Sequence, residues 1–493
     1  MTTTDRRAGL LAGLGGVVAA LALVEVASGF IQGWYTPLFT DIARNLGIHD
    51  ADVNWFEAAQ LMFSALAVPV LAKMGDLWGH KRILLASTAV TAVASFGVAF
   101  APTFATYLVA WALQGAYVVW LPLEVAIIYL AARRVGAPDA PLITRRAAGT
   151  LVFALEGSVI VAALGAGAMA GAVALEVVLL VPAVVVTLCL AAIWFFVPAT
   201  PASAQGRLDW IGVGLLTVSL GVLMLGLTLV RILGPGSPWP WLAIAGAVAV
   251  LWPFVRHELR VDEPLVDVRM LAAPAMWPVQ LTAGLFGVSV LGAQVPLSTF
   301  ARTDPAEVGY GLGLDASAVS IIIGAYVFAL ALGALALPVF SRLLTPRGAL
   351  VAAAVFVAVG YLLFLPLHDT LAQTLTNMVI AGFGSGMLVA ALPAAAAAAA
   401  PEDRTGMATG LTNSIKTVGG SVASAVFGVA LFAGVTEAAV AAGETAAPLS
   451  GYMTVWALCG GTAAVCAVLL ATFVPRTAFT TAPAPVDLGR AGA

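Results

Sequence analysis

The sequence predicts an all-α polytopic membrane protein with fourteen transmembrane helices, on three observations. Of its 493 residues 61% are hydrophobic and 10% charged, a balance that a water-soluble globule does not have. The apolar residues fall into runs of roughly 20, the length that crosses a bilayer as a helix. The Lys and Arg residues gather in alternate gaps between those runs, as the positive-inside rule requires of a multi-pass chain.

In chain order the runs are 10–36, 54–74, 83–102, 106–131, 148–172, 176–197, 209–231, 239–255, 277–299, 317–340, 348–367, 371–392, 408–433 and 452–474. An even count puts both termini on one side. Arg6, Arg7, Lys81, Arg82, Arg133, Arg134, Arg145, Arg146 and Arg207 fall on that side, as do the later arginines from Arg256 to Arg490 apart from Arg302. It is therefore cytoplasmic, in a chain of the cell membrane. Arg44, Arg231 and Arg302 fall opposite, beside acids such as Asp41, Asp304, Glu307, Asp369, Glu437 and Glu444. The basic start, Met1 to Arg7, leads into a run without a small-residue cleavage site, so that run is expected to stay as the first span.

Several functions are disfavoured by what the chain lacks. A net charge of −3, with basic residues in short loop clusters, leaves no nucleic-acid footprint. Cys189, Cys459 and Cys466 lie inside apolar runs, and His49, His80, His257 and His368 lie outside them. No disulfide, no metal centre and no cofactor is expected from that distribution. A membrane enzyme would need a nucleophile with its base, and no Gly-x-Ser-x-Gly elbow occurs. No filter-like segment repeats as a channel would require. Transport of a small-molecule substrate is the remaining class, with a non-transporting receptor as its counter-reading.

The compact polar stretch Gly75-Asp76-Leu77-Trp78-Gly79-His80-Lys81-Arg82 reads as a tight loop between spans 2 and 3. Its echo after span 10 is Ser341-Arg342-Leu343-Leu344-Thr345-Pro346-Arg347-Gly348. If these loops match, residues 1–200 and 271–476 are equivalent six-helix bundles, 201–270 carry an added two-helix hairpin, and 477–493 form a disordered cytoplasmic tail.

The hinge, with Gly75, Asp76, Gly79, Lys81 and Arg82, resembles the signature loop of the major facilitator superfamily. Further stretches resemble its fourteen-spanner drug/proton antiporters: Arg207 to Gly212, His257-Glu258 with Glu263 to Val268, and Pro401 to Gly406 followed by Gly410 to Asn413. The resemblance implies a major facilitator fold of two six-helix bundles plus an inserted hairpin, working as a monomer in the lipid bilayer. It implies alternating-access export of small amphipathic or cationic compounds in exchange for protons, with metabolite import or uniport as the runner-up. The chain departs from the pattern at Ala72, Leu77 and His80 in the hinge. It also has Trp111 where span 4 usually carries arginine, and no proline in Gly165 to Gly171.

Ionisable groups in hydrocarbon cost roughly 2.5–3.5 kcal/mol each, so Glu25, Glu124 and Glu156 are functional candidates. Tyr117, Trp120 and Glu124 stand at i, i+3 and i+7 on one expected helix face, with Gln114 at its border. Aromatic rings with a carboxylate suit an organic cation, although packing against a paired acid explains the same pattern. Glu124 and Glu156 both lie roughly 13–15 Å from one cytoplasmic loop, which suggests a shared aqueous cavity. In span 13, Asn413 and Lys416 follow the entry motif; Lys416 either pairs with an intramembrane glutamate or snorkels to the interface. Glu57 and Asp41 are expected near the outer surface, contributing gate polarity at most.

Overall fold

The computed structural model describes residues 3–134, 139–202, 207–400, 405–435 and 445–474. Those residues form α1 (Thr3–Trp34), α2 (Phe39–Leu46), α3 (Val53–Trp78), α4 (His80–Ala99), α5 (Phe104–Gln114), α6 (Trp120–Arg134), α7 (Ala140–Met169), α8 (Leu175–Phe196), α9 (Trp210–Leu233) and α10 (Pro238–Glu258). After these come α11 (Val268–Leu271), α12 (Trp277–Val290), α13 (Gln294–Arg302), α14 (Pro305–Val308), α15 (Ala316–Leu362), α16 (Leu371–Ala399), α17 (Thr405–Phe432) and α18 (Leu449–Phe473). Among the described residues thirteen helical segments are long and apolar enough to cross a bilayer. This is the fold that hydrocarbon imposes, because a helix satisfies its own backbone polar groups. Pro401 to Arg404, Glu437, Glu444, Arg476 and the 477–493 tail lie outside the described residues.

Two expected spans, 317–340 and 348–367, fall within the single 47-residue α15. At 1.5 Å per residue that helix is about 70 Å long, twice a bilayer. Thr345 breaks its helical dihedrals at φ 75°, ψ 158°. Its hydroxyl accepts a hydrogen bond from the Gly348 N–H at 3.3 Å, and Pro346 follows it. An N-cap threonine with proline at the first helical position is a helix start. The hinge shows the same device. Gly75 to Trp78 are the last turn of α3, His80 to Arg82 the first turn of α4, and Gly79 alone is non-helical, at φ 98°, ψ 127°. The expected eight-residue loop is thus a one-residue break, and Gly79 and Thr345 hold matching places in the two echoing stretches.

The apolar core is divided. One cluster draws on residues from Ala20 to Val197, with Val295 and Ala316 added; another draws mainly on residues from Met270 to Val474. Within the first, α1 crosses α7 closely because Gly29 and Gly33 face it. A Cβ on either would stand 2.3 or 2.2 Å from the carbonyl oxygen of Leu155 or Val159. Such a small-xxx-small face lets backbones touch where lipid offers no hydrophobic drive. Glu25 is one turn earlier on the same face, so the glycines aim it inward. Helices α9 and α10 pack together at the periphery; only 28% and 17% of their spans are buried, against 67% for Trp277–Arg302. There α9 lies over the seam of α3 and α17, its Leu227 clustered with Trp55, Ala58 and Ala425.

At one end, here termed the gate end, the two cores meet through polar contacts. Ser298 Oγ donates to the Thr36 carbonyl at 2.6 Å, Arg302 pairs with Asp41 at 2.5 Å, and the Asp50 N–H donates to the Thr445 carbonyl at 3.2 Å. Arg231 of α9 adds a 2.5 Å pair with Asp52. Ser421 Oγ donates to the Ala58 carbonyl nearby, at 2.7 Å. Toward the end that carries Gly79, the hinge end, Lys73 reaches Glu263 at 2.9 Å, both partly exposed.

Candidate functional site: a central cavity between the two cores

Between the cores lies a cavity of about 150 Å³ lined by Gln32, Thr36, Glu156, Gln294, Tyr326 and Lys416, among others. A second, of about 50 Å³, is lined by Tyr35, Phe39, Glu57, Gln60, Trp111 and Tyr117. Gln32, Thr36, Leu291 and Gln294 line both, so a thin common wall separates them. Both contain residues of each core.

Glu156 and Lys416 come from α7 and α17, on opposite cores, and Glu156 is the charged group whose field reaches Lys416. They form no ion pair, and neither side chain makes a hydrogen bond among the described residues. Lys416 stands eleven residues into α17, roughly 16 Å from its start. It therefore does not snorkel; it points to the cavity.

Glu124 is not in that cavity. It is fully buried against Glu25, itself fully buried, and Ser28 lies beside Glu25. Among the described residues no donor reaches any of the four carboxyl oxygens. Two carboxylates are both acceptors, so a hydrogen bond between them requires a shared proton. The expected face of Tyr117, Trp120 and Glu124 is broken because span 4 is not one α-helix. Gly115–Val119 form a 3-10 segment between α5 and α6. At 120° rather than 100° per residue, five such residues turn the following helix by roughly 100° relative to a straight one. Tyr117 consequently lines a cavity, while Trp120 and Glu124 sit in the core.

Gln114, also fully buried, donates to Tyr35 Oη and Ser95 Oγ at 2.9 Å each, tying α5 to the residue that follows α1 and to α4. Asn413 lines neither cavity; its carbonyl accepts from Thr417 Oγ1 at 2.8 Å. In the hinge, Asp76 Oδ1 meets His80 Nε2 at 3.1 Å. The Lys81 N–H donates to Thr200 Oγ1 and its ammonium to the Trp194 carbonyl, both at 3.0 Å, while Arg82 is exposed. A Cβ on Gly79 would meet the Thr200 carbonyl oxygen at 2.4 Å, and one on Gly75 the Leu123 side chain at 2.7 Å. The hinge is clamped to the end of α8 within its own core.

The stretches around Arg207, His257 and Glu263 also converge. Asp209 caps α9 by accepting from the Gly212 N–H at 2.9 Å, and both its oxygens meet His257 Nε2, at 2.8 and 3.0 Å. Glu258 accepts from the Val266 N–H at 3.0 Å. Burial alone would raise the Asp209 carboxyl; the Gly212 and His257 contacts outweigh it and hold the group below its ordinary range. At the gate, burial holds the His49 imidazole below its usual value, and its Nδ1 accepts from the Ala51 N–H.

Sequence reasoning missed the cavity roles of Glu57 and Gln32. Gln32 is seven residues past Glu25 in an apolar run, the spacing of one helix face, and that was the available signal.

A two-core helical bundle around a central cavity that holds charged side chains in a mostly apolar lining is a membrane transporter scaffold. The sequence profile of the Major Facilitator Superfamily matches residues 21–424, and the chain belongs to that family. It is 25% identical over 402 residues to the tetracenomycin C resistance and export protein of Streptomyces glaucescens, covering 79% of this chain and 70% of that protein. It is 22% identical over 318 residues to the uridine/deoxyuridine transporter of Lactococcus lactis subsp. cremoris, covering 63% and 64%. Its matches to two uncharacterized MFS-type transporters, of Mycobacterium tuberculosis and Bacillus subtilis, span 44% and 21% of those proteins. The fold is shared with a crystal structure of the nucleoside transporter NupG, with a TM-score of 0.61 at 14% identity over 94% of this chain and 98% of that one.

Proposed function

We propose that this chain is a secondary transporter that exports small amphipathic molecules in exchange for protons by alternating access. The observation that carries the reading is the central cavity, lined by both cores and closed at the gate end by contacts between them. With the break at Thr345 dividing α15 into two spans, the count is fourteen. Residues 1–200 and 271–476 are then the two moving bundles, 201–270 an inserted hairpin, and both termini cytoplasmic. The gate end faces outward, and the closed gate marks an inward-facing state. Gly79 with Asp76 and its neighbours, and Thr345, are the hinges about which each bundle's helices re-pack. The facing carboxyls of Glu25 and Glu124 carry the proton, and the export protein among the relatives supports the direction. The protein acts as a monomer.

A second reading, import or exchange of a nucleoside-like metabolite, is favoured by the uridine/deoxyuridine relative. Proteoliposomes with an imposed pH gradient, an internal proton reporter and a panel of amphipathic dyes separate the two. Dye movement against its gradient, driven by protons and abolished in Glu25→Gln and Glu124→Gln, is expected. Wild-type coupling in both variants and their double would put the proton elsewhere. Dye movement that ignores the pH gradient would leave a uniporter.

A further inference from the structure

The two cavities differ in chemical character. The larger contains Lys416, a cation that makes no ion pair or hydrogen bond among the described residues, with Glu156 in the same lining. The smaller contains Glu57, a carboxylate that also makes no ion pair or hydrogen bond among the described residues. Around Glu57 stand the rings of Tyr35, Phe39, Trp111 and Tyr117, with Tyr35 and Trp111 edge to face at 4.7 Å. Ring faces beside a carboxylate attract a cation, and an unpaired ammonium attracts an anion. The shared wall of Gln32, Thr36, Leu291 and Gln294 is thin and mostly polar, so one molecule can reach both sides once the cores part.

We propose that the joined cavity takes an amphipathic zwitterion, its anionic group on Lys416 and its cationic group on Glu57 against the rings of Tyr35, Trp111 and Tyr117. This deepens the export reading and rests on it for the direction of movement, though not for binding. Lys416 and Glu57 present one charge of each sign at the two ends of the joined cavity, the complement of a zwitterion's two groups. A pure cation puts like charge toward Lys416, and a pure anion puts like charge toward Glu57. The ligand also bridges the cores, because Lys416 and Glu57 belong to opposite ones.

Three xanthene dyes of nearly one shape test this: rhodamine 110, a zwitterion; rhodamine 123, its methyl ester and a cation; and fluorescein, an anion. Binding to the purified full chain is read by fluorescence polarisation. Rhodamine 110 is expected to bind tightest. Lys416→Met should weaken it about tenfold or more, the loss of a hydrogen bond to a charged group, and leave rhodamine 123 within about twofold. Glu57→Gln should weaken both rhodamines and spare fluorescein, while Lys416→Arg and Glu57→Asp keep rhodamine 110 binding and show that the site still folds. No binding of rhodamine 110, equal loss of all three dyes in either variant, or a preference for rhodamine 123 would overturn the proposal. In proteoliposomes the two readings part: the charge-selective binding without proton-driven flux removes export and keeps the site, and flux of rhodamine 123 in preference to rhodamine 110 does the reverse.

Discussion

Arg302 and Asp41 close the gate end, and breaking their contact tests whether that closure governs access to the cavity. The pair is 2.5 Å apart with side chains 11% and 28% exposed, joining α13 of one core to α2 of the other. A hydrogen bond between charged groups this sheltered contributes about 1.5–3 kcal/mol; with some exposure, about 1–2 kcal/mol is the reasonable coupling. Only the gate-closed state has the contact, so losing it shifts the balance toward gate-open by roughly 5–30-fold. The assay is labelling of a single cysteine at Gln294, which lines both cavities, in a background without Cys189, Cys459 and Cys466. A membrane-impermeant maleimide is added on the gate side. Arg302→Ala and Asp41→Ala should each speed labelling by that factor, and the double variant should add little to either. Unchanged rates, or effects that simply add, would refute the pair as a gate.

Two other expectations follow from the backbone and the α9–α10 base. Thr345 holds dihedrals that are essentially glycine-only, a strain of about 1–3 kcal/mol, so Thr345→Gly should raise thermal stability in detergent by about 0.5–2 kcal/mol after the looser unfolded chain is counted. Gly79→Ala should do the opposite and abolish folded yield, since it adds a Cβ against the Thr200 carbonyl as well as strain; matching signs for the two variants would refute the equivalence of the breaks. Asp209→Ala should destabilise by about 1 kcal/mol at neutral pH through its lost cap. Because the Asp209 carboxyl is held below its ordinary value, its charge-borne share is present above about pH 3.9 and lost as pH falls through the folded value. Melting curves should therefore show the gap between wild type and variant narrowing in acid; a gap that widens there contradicts the assignment.

The spans were legible because hydrocarbon enforces them: the expected runs fall on helical segments, although 106–131 and 277–299 are each split and 317–340 and 348–367 share α15, and the echo of Gly75 to Arg82 in Ser341 to Gly348 falls on two matching backbone breaks. What failed was face assignment. Helical spacing carried Trp120 and Glu124 into the cavity with Tyr117, and the 3-10 segment at Gly115–Val119, which no residue pattern announced, turned them away. Glu57 was placed by its nearness to a helix end, although the closed gate brings that end inside the protein. Lys416 was ambiguous for a related reason, as α17 begins well before the apolar core that the lysine enters. One-dimensional distance from a loop is a poor guide to depth where helices tilt and cores meet.

The position of α9 bears on how a lipophilic molecule dissolved in the membrane meets this protein. On one flank the seam between α3 and α17 is roofed by α9, with Leu227 against Trp55 and Ala425 and with Arg231 tied to Asp52. On the other, α7 and α15 meet directly, Gly167 against Ser320 and Gly324 near Ile160, and among the described residues no third membrane-length helix bridges that pair. Of these two seams between the cores, one is therefore covered by α9 and the other, among the described residues, is not. Were a lipophilic molecule to reach the cavity from the leaflet, the α7–α15 seam is the one of these two that no membrane-length helix roofs among the described residues.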